Sequence, residues 1–339
     1  MKTGKINIIK IAKEANISIA TVSRIINNSE KVRHDTRKKV LEIIERTGYR
    51  PKIRKNRLKN VLVLVQDKKS VFSQYVSALM NGISDALNAL GYEETLIFVN
   101  EALHPDIIME TVRERKADSA IVLQSSNNAS YLKTFTEEKL PFILVNNAHG
   151  SNMNYINTDN RKGMRDALDH LYSLGHRKMM ILLDSPQFYD FEERRKAFEE
   201  FMEEKGLKDF RVFYLKDFQN YSEMMPAEQG YFFMQFLIKE GFAETAILAS
   251  DDDVGMGLLR ACHENKINVP EHLSIIGFND FYTSSYLVPS LTTISQDLYK
   301  IGSDAVMGLI SIMNGKKTLV QNLVPTRLVV RGSTGPINI

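Results

Sequence analysis

Two groups of residues in this chain of 339 have types and spacings that could do chemistry. The first is Ile19, Ala20, Thr21, Ser23 and Arg24, with Asn27 and Asn28 just beyond. Small apolar side chains at Ile19 and Ala20 suit thymine methyl groups. Thr21, Ser23, Asn27 and Asn28 could reach phosphates, and Arg24 could reach guanine O6 and N7 or another phosphate. Together they have the chemistry of a helix whose N-terminal residues read base edges in a major groove. The second group is scattered: Gln124, Asn146, Asp184, Phe218 and Asp251 each fall near the end of an apolar run. Polar and aromatic groups in such places line ligand crevices of α/β proteins, because binding occurs beyond the carboxyl ends of parallel strands.

These residues need particular elements to position them. Ile8, Ile11, Ala12 and Ala15 share one face of a helix that Asn7 could cap. Asn16 tolerates the left-handed turn that ends a helix, and Ser18 can cap a second one, IATVSRIIN, which predicts a helix-turn-helix. A third helix is expected from about Asp35 to Thr47, closed by Gly48, with Val40, Leu41, Ile43 and Ile44 completing a three-helix core. Pro51 opens a linker, KIRKNRLKN, that carries five basic residues and one leucine. From Val61 the pattern changes. The runs VLVLV (61–65), TLIFV (95–99), SAIVL (119–123) and FILV (142–145) read as strands, followed by MMILL (179–183), RVFYL (211–215), AILA (246–249) and LSIIG (273–277). Helices ending at Gly175, Gly206 and Gly241 alternate with the second series. Continuously apolar strands between helices require parallel sheets covered on both faces, so two α/β subdomains with a cleft between them are expected.

Charge divides the chain in the same place. Residues 1–59 hold 17 Lys+Arg against 5 Asp+Glu, whereas residues 60–339 hold 27 against 36. A basic head on an acidic body is the electrostatic footprint of a nucleic-acid-binding module joined to something else. With 43% hydrophobic residues the chain is not a disordered one, and its one cysteine, Cys262, cannot close an intrachain disulfide. No apolar run approaches the roughly 18 residues of a membrane helix. Lysines interrupt the stretch MKTGKINIIKIAKEAN where a signal peptide would be apolar, so a cytoplasmic protein without a membrane partner is expected.

The stretch IAKEANISIATVSRIINNSEKVRHDTRKKVLEIIERTGYRP resembles the head of the lactose repressor/galactose repressor (LacI/GalR) family of bacterial regulators. The body resembles the family too, in LYSLGHRKMMIL, RRKAF, LASDDDVGMGLLRA, VPEHLSIIGFND, PSLTTISQD and PTRLVVRGST. The resemblance implies a helix-turn-helix domain over 1–50, a hinge linker over 51–59, and an effector-binding and dimerisation domain over 60–339 similar to periplasmic sugar-binding proteins. It implies a homodimeric repressor on double-stranded operator DNA, controlled by a small effector of the sugar class. Ile19, Ala20 and Arg24 match the family's base-reading positions, and Thr21 and Ser23 match backbone-contact positions. Leu58 resembles a hinge leucine that wedges into the minor groove. The chain departs from the pattern here, because Val61 opens the first strand almost at once.

In the body, Arg194 stands where the family has an effector-contacting arginine, with Ala197 in place of a usual glycine. Phe218 matches a position that often carries a ligand-stacking aromatic, and Tyr75 falls where an aromatic begins the first helix; either could instead be core. Asn146 stands where Asp or Asn often contacts effector, Asp251 matches an acidic strand end, Asn279 replaces the usual aspartate, and Ser250 replaces a common asparagine. This donor-and-acceptor lining suits a neutral polyol. Catalytic and metal readings are weaker. Asp251, Asp252 and Asp253 lack a matching second cluster and are explained by an acidic helix N-terminus. His170 and His176 are spaced too far apart for one helical face. Gly255 and Gly257 in GMGLLR lack the third glycine of a dinucleotide fingerprint. No cofactor, metal or catalytic residue is therefore assigned. A sugar-metabolising α/β enzyme with a DNA-binding head, and an architectural DNA-binding protein, are the competing readings.

Overall fold

The computed structural model of the chain describes residues 8–26, 32, 34–47, 59–66, 73–99, 105–123, 130–147 and 152–337. The chain forms two compact units, Met1–Leu58 and Lys59–Ile339.

The smaller unit contains α1 (Ile8–Ala15), α2 (Ile19–Ile26) and α3 (His34–Thr47). Asn16 adopts a φ of 54°, and the Ile17 N–H donates to the Ala12 carbonyl at 3.0 Å, closing α1 as its sequence predicts. Ser18 Oγ accepts from the Thr21 N–H at 3.1 Å and starts α2. Ile11, Ala12, Ala15, Val22, Ile25, Val40 and Ile43 form the core, with Ile17, Val32 and Ile44 packed against it. Leu41 does not join this core and is 49% exposed. Positions 40, 43 and 44 lie on one stripe of the helix, and residue 41 is turned about 100° away from Val40.

The larger unit holds two six-stranded sheets, each covered by helices. In the first the strand order is β11-β5-β4-β3-β1-β2, built from Gln321–Val324, Tyr155–Thr158, Phe142–Val145, Ala117–Leu123, Asn60–Gln66 and Glu93–Val99. In the second the order is β12-β10-β9-β8-β6-β7, from Thr326–Val329, Thr292–Gln296, Ser274–Asn279, Ala246–Leu248, Met179–Leu183 and Phe210–Tyr214. Pairing is parallel throughout except for β12, which runs antiparallel to β10. Each of the eight apolar runs coincides with a strand, although Leu215, Ala249 and Leu273 fall just outside, Leu215 in a 3-10 helix. Four strands carried no such run. YINT, TTISQ, QNLV and TRLV are polar or short, and their pairing partners supply the burial that their sequence does not advertise.

The main helices of the larger unit are α4 (Gln74–Ala89), α5 (Pro105–Glu114), α6 (Tyr131–Glu137), α7 (Asn160–Ser173), α8 (Tyr189–Glu204), α9 (Pro226–Glu240), α10 (Asp252–Glu264) and α11 (Leu298–Met313). The chain leaves the first sheet after β5, returns to it after β10 by way of α11, and leaves again between β11 and β12. Asp159 and Asp297, at the first two crossings, cap the helices that follow. Close helix pairs stiffen each subdomain. A Cβ on Gly257 would lie 1.9 Å from the Ala227 carbonyl oxygen, and one on Gly302 would lie 2.3 Å from that of Leu79, so α9 meets α10 and α4 meets α11 at glycine spacing.

Candidate functional site

The α2 helix presents its first turn outward. Ile19 is 46% exposed, and the Thr21 hydroxyl shares a 2.8 Å hydrogen bond with that of Ser18, so the cap also holds Thr21. Ala20, Ser23 and Arg24 lie within the same helix, which fixes their backbones on one short element. The side chains of these three, and Asn27, Asn28, Leu58 and Gln124 altogether, lie outside the described residues.

In the larger unit the C-terminal strand ends bring residues from distant segments together. Asn146 follows β4, and Asn279 ends β9; both sit at positive φ, 51° and 110°, where asparagine is more tolerant than most side chains. Asn146 Nδ2 donates to the hydroxyl of Tyr75, the second residue of α4. Its Oδ1 accepts from the Thr158 N–H at 2.9 Å and lies 3.1 Å from the Thr158 hydroxyl. That hydroxyl also bonds Gln296 Oε1, and Gln296 Nε2 donates to Asn279 Oδ1. A continuous polar relay therefore runs from Tyr75 in the first subdomain, through two chain crossings, to Asn279 in the second.

Beside the relay lies Arg194, 5% exposed on α8. Its Nε donates to Asn160 Oδ1 at 2.7 Å and its Nη1 to the Ser250 carbonyl at 2.8 Å, while the guanidinium lies 3.4 Å from the centroid of the Phe278 ring. Asn160 Nδ2 in turn donates to Asp190 Oδ1 at 2.8 Å. Asp251 caps α10 by accepting from the Val254 N–H at 2.8 Å. Its neighbour Asp252 does more than complement the helix dipole: its buried carboxylate accepts from the Phe281 N–H, the Ser284 hydroxyl and the Thr293 hydroxyl at 2.7, 2.8 and 2.5 Å. Asp184 accepts from the Tyr221 hydroxyl. Phe218 packs in the second subdomain with its ring edge-on to Phe233 and Phe236 at 5.3 and 5.2 Å.

Of the residues expected from the sequence, Tyr75, Asn146 and Asn279 join the relay, and Arg194 and Asp251 adjoin through Ser250. Thr158, Asn160, Asp190 and Gln296 were not foreseen. Asp190 had a legible signal, standing one helical turn before Arg194. Gln296 had none, because the strand that carries it is too polar to recognise.

Burial and charge perturb this site. Burial raises the Tyr75 hydroxyl, and nearby Asp190 adds to the effect. Burial pushes Asp190 up to about 6 against the pull of Arg194 and Asn160. Burial likewise pushes Asp251 up to about 7, helped by Asp253 and Asp184. A carboxyl raised on folding binds more protons folded than unfolded, so its stabilisation is present below its ordinary value near 3.8 and is lost as pH rises through the folded value. Ligand-free protein is therefore expected to lose stability between about pH 5 and 8 more steeply than Asp251→Asn, by a few degrees in Tm, in a melting series across that range. Burial lowers His170 and His176, which slope the opposite way in both proteins, so the difference between the two curves isolates Asp251. Identical curves would refute it.

Among the described residues no group of three or more His, Cys, Asp or Glu could hold a metal ion, and no helix is long and apolar enough to cross a membrane. Comparison with known proteins matches both units. Residues 7–52 match the bacterial regulatory proteins of the lacI family, and residues 168–334 match the periplasmic binding protein-like domain. The transcriptional regulator RegA of Clostridium saccharobutylicum is 30% identical over 336 residues, covering 96% of this chain and 98% of the relative. Two solved structures share the fold. The lac repressor dimer bound to operator and the anti-inducer ONPF has a TM-score of 0.82 at 20% identity, covering 97% of this chain and 99% of that one. The complex of the transcriptional regulator CelR with cellobiose has a TM-score of 0.73 at 21% identity, covering 97% and 100%. The helix-turn-helix head, the α/β body crossed three times by the chain and a relative matched along nearly its whole length agree, and this chain belongs to the lacI family of bacterial regulatory proteins.

Proposed function

We propose that the protein is a cytoplasmic repressor that binds a pseudopalindromic double-stranded operator as a homodimer, and that a small carbohydrate-like effector in the cleft between its subdomains sets its DNA affinity. The observation that carries the effector half is the meeting of Arg194, Asp190 and Asn279 from the second subdomain with Tyr75 and Asn146 from the first, because an effector that touches both halves can distinguish an open from a closed body. The operator and anti-inducer held by the lac repressor dimer, and the cellobiose held by CelR, support the same reading. The relatives are transcriptional regulators, which supports a binding rather than a catalytic use of the cleft.

Exposed apolar clusters support the homodimer. Met225, Phe232 and Phe236 stand out from the region of α9, and the tilted rings of Tyr282 and Tyr286 lie against each other near Val288, which is 91% exposed. In this reading residues 51–59 are the hinge between a head over 1–50 and a body over 60–339. Leu58 is its minor-groove wedge, Asn28 a phosphate contact, Gln124 a cleft residue and Phe218 a wall of the effector site. The test is Arg24→Ala in operator and random-sequence titrations. A loss of about 1–3 kcal/mol confined to the operator is expected, since one bidentate base contact carries that much discrimination. Equal losses on both DNAs would make Arg24 a phosphate contact only.

A further inference from the structure

The boundary between the two units falls between Leu58 and Lys59, and the larger unit begins there with an irregular polar cluster. Asn60 opens β1 and is buried, although the five residues after it are all apolar. Its Nδ2 donates to the Arg115 carbonyl at 3.0 Å and to the Thr95 hydroxyl at 3.1 Å, and that hydroxyl donates back to Asn60 Oδ1 at 3.2 Å. The Asn60 backbone N–H donates to Asp118 Oδ2 at 3.2 Å. A bulge makes this last bond. In the ladder between β1 and β3, Asn60 stands opposite Ala117 and Val61 opposite Ser119, which leaves Asp118 as an extra residue on β3. Bulges re-aim side chains, and this one aims a carboxylate at the first N–H of β1. Lys116, in the turn just before, has a φ of 51°, where few side chains other than glycine, asparagine and aspartate settle. Lys59 is held as well: its carbonyl accepts from the Glu93 N–H at 3.0 Å, and its ammonium donates to the Tyr92 hydroxyl at 3.3 Å.

An apolar residue in place of Asn60 would continue the strand with none of these side-chain partners. A buried amide whose donors and acceptor are all engaged admits one arrangement, because displacing it leaves buried polar groups unpaired. The start of the body is therefore pinned to β2, to β3 and to the turn before β3. We infer that this clamp fixes the point from which each linker leaves the body, and that Asn60 is a positioning residue for operator binding by the dimer; this rests on the operator-binding dimer proposed above. Two heads must reach two half-sites at a set distance, and the second binds at an effective concentration that depends on how narrowly its tether is placed. Asn60 acts through the linker and not at the cleft. It starts β1, at the end of the first sheet opposite the one where Asn146 follows β4.

The experiment begins with the full chain selecting a pseudopalindromic operator from a randomised duplex library. Anisotropy titrations then compare that operator, versions with base pairs inserted or removed at its centre, and a duplex with a single half-site, for the parent, Asn60→Ala and Thr95→Val. The parent should prefer its selected spacing. In Asn60→Ala the affinity for that spacing should fall about tenfold or more, the altered spacings should lose less, and the single half-site should be bound as the parent binds it. Thr95→Val removes one hydroxyl and keeps the shape of the residue, so it should flatten the spacing profile in the same direction by a smaller factor, and it carries the test if Asn60→Ala does not fold. Loss of folded protein lowers apparent affinity equally for every duplex, which separates placement from stability. A spacing profile unchanged in either variant that circular dichroism shows folded, or an equal loss on every duplex by folded variant, would overturn the inference and leave the operator reading standing. A parent that selects no paired half-sites would count against both together.

Discussion

Raising the salt from about 50 to about 200 mM is expected to weaken operator binding by roughly three to five orders of magnitude, if the dimer makes about six to ten phosphate contacts. The physical reason is counterion release: each neutralised phosphate frees condensed cations, and that gain shrinks as bulk salt rises. The motive is the charge split, 17 basic against 5 acidic residues in positions 1–59, set against an acidic remainder that repels DNA. Fluorescence anisotropy titrations at several salt concentrations measure the slope of log K against log salt. A steep negative slope is expected for operator and random DNA alike, with the operator curve displaced upward by the base contacts of α2. A flat plot would remove the nucleic-acid role of the head.

Arg194→Ala carries the second large effect, and the structure makes it a double one. The side chain holds the Asn160 amide oxygen and the Ser250 carbonyl and covers the Phe278 ring, so truncation leaves two buried acceptors without a donor. Asp190 loses the one cation that lowers its pKa. Removing one partner from such a buried charged set costs about 3–5 kcal/mol. A lower Tm is therefore expected, together with an effector affinity reduced roughly tenfold to a hundredfold, the worth of one charge-assisted hydrogen bond. The two effects are separated by titrating effector at a temperature where circular dichroism shows the variant folded. There, operator affinity without effector should match the parent protein, because linkage makes the effector shift DNA binding only through its differential affinity for the two body states. Loss of operator binding in folded variant, or unchanged effector affinity, would place Arg194 outside the effector site.

Local sequence was enough for the head and for most of the body's scaffold. Asn16 and Ser18 specify the turn between α1 and α2 through conformations and hydrogen bonds that involve only neighbouring residues. The runs at 61–65 and 179–183 are apolar on both faces because a parallel strand is buried on both, so the two sheets are legible one strand at a time. Charge is additive along the chain, which is why the basic head stands out without any structure. Only the tertiary structure decided how the cleft is wired. Thr158 and Gln296 are 138 residues apart in sequence and share a hydrogen bond. Both end short polar strands at chain crossings, where side chains satisfy one another rather than alternate between core and solvent, so no periodicity marks them. The same holds for Asp190 and Asn160, whose bond joins the start of α8 to the start of α7. Hydrophobic burial leaves a periodic trace in the chain because every strand and helix repeats it; a buried polar pair is a single event between two distant residues, and its partner is chosen by the fold.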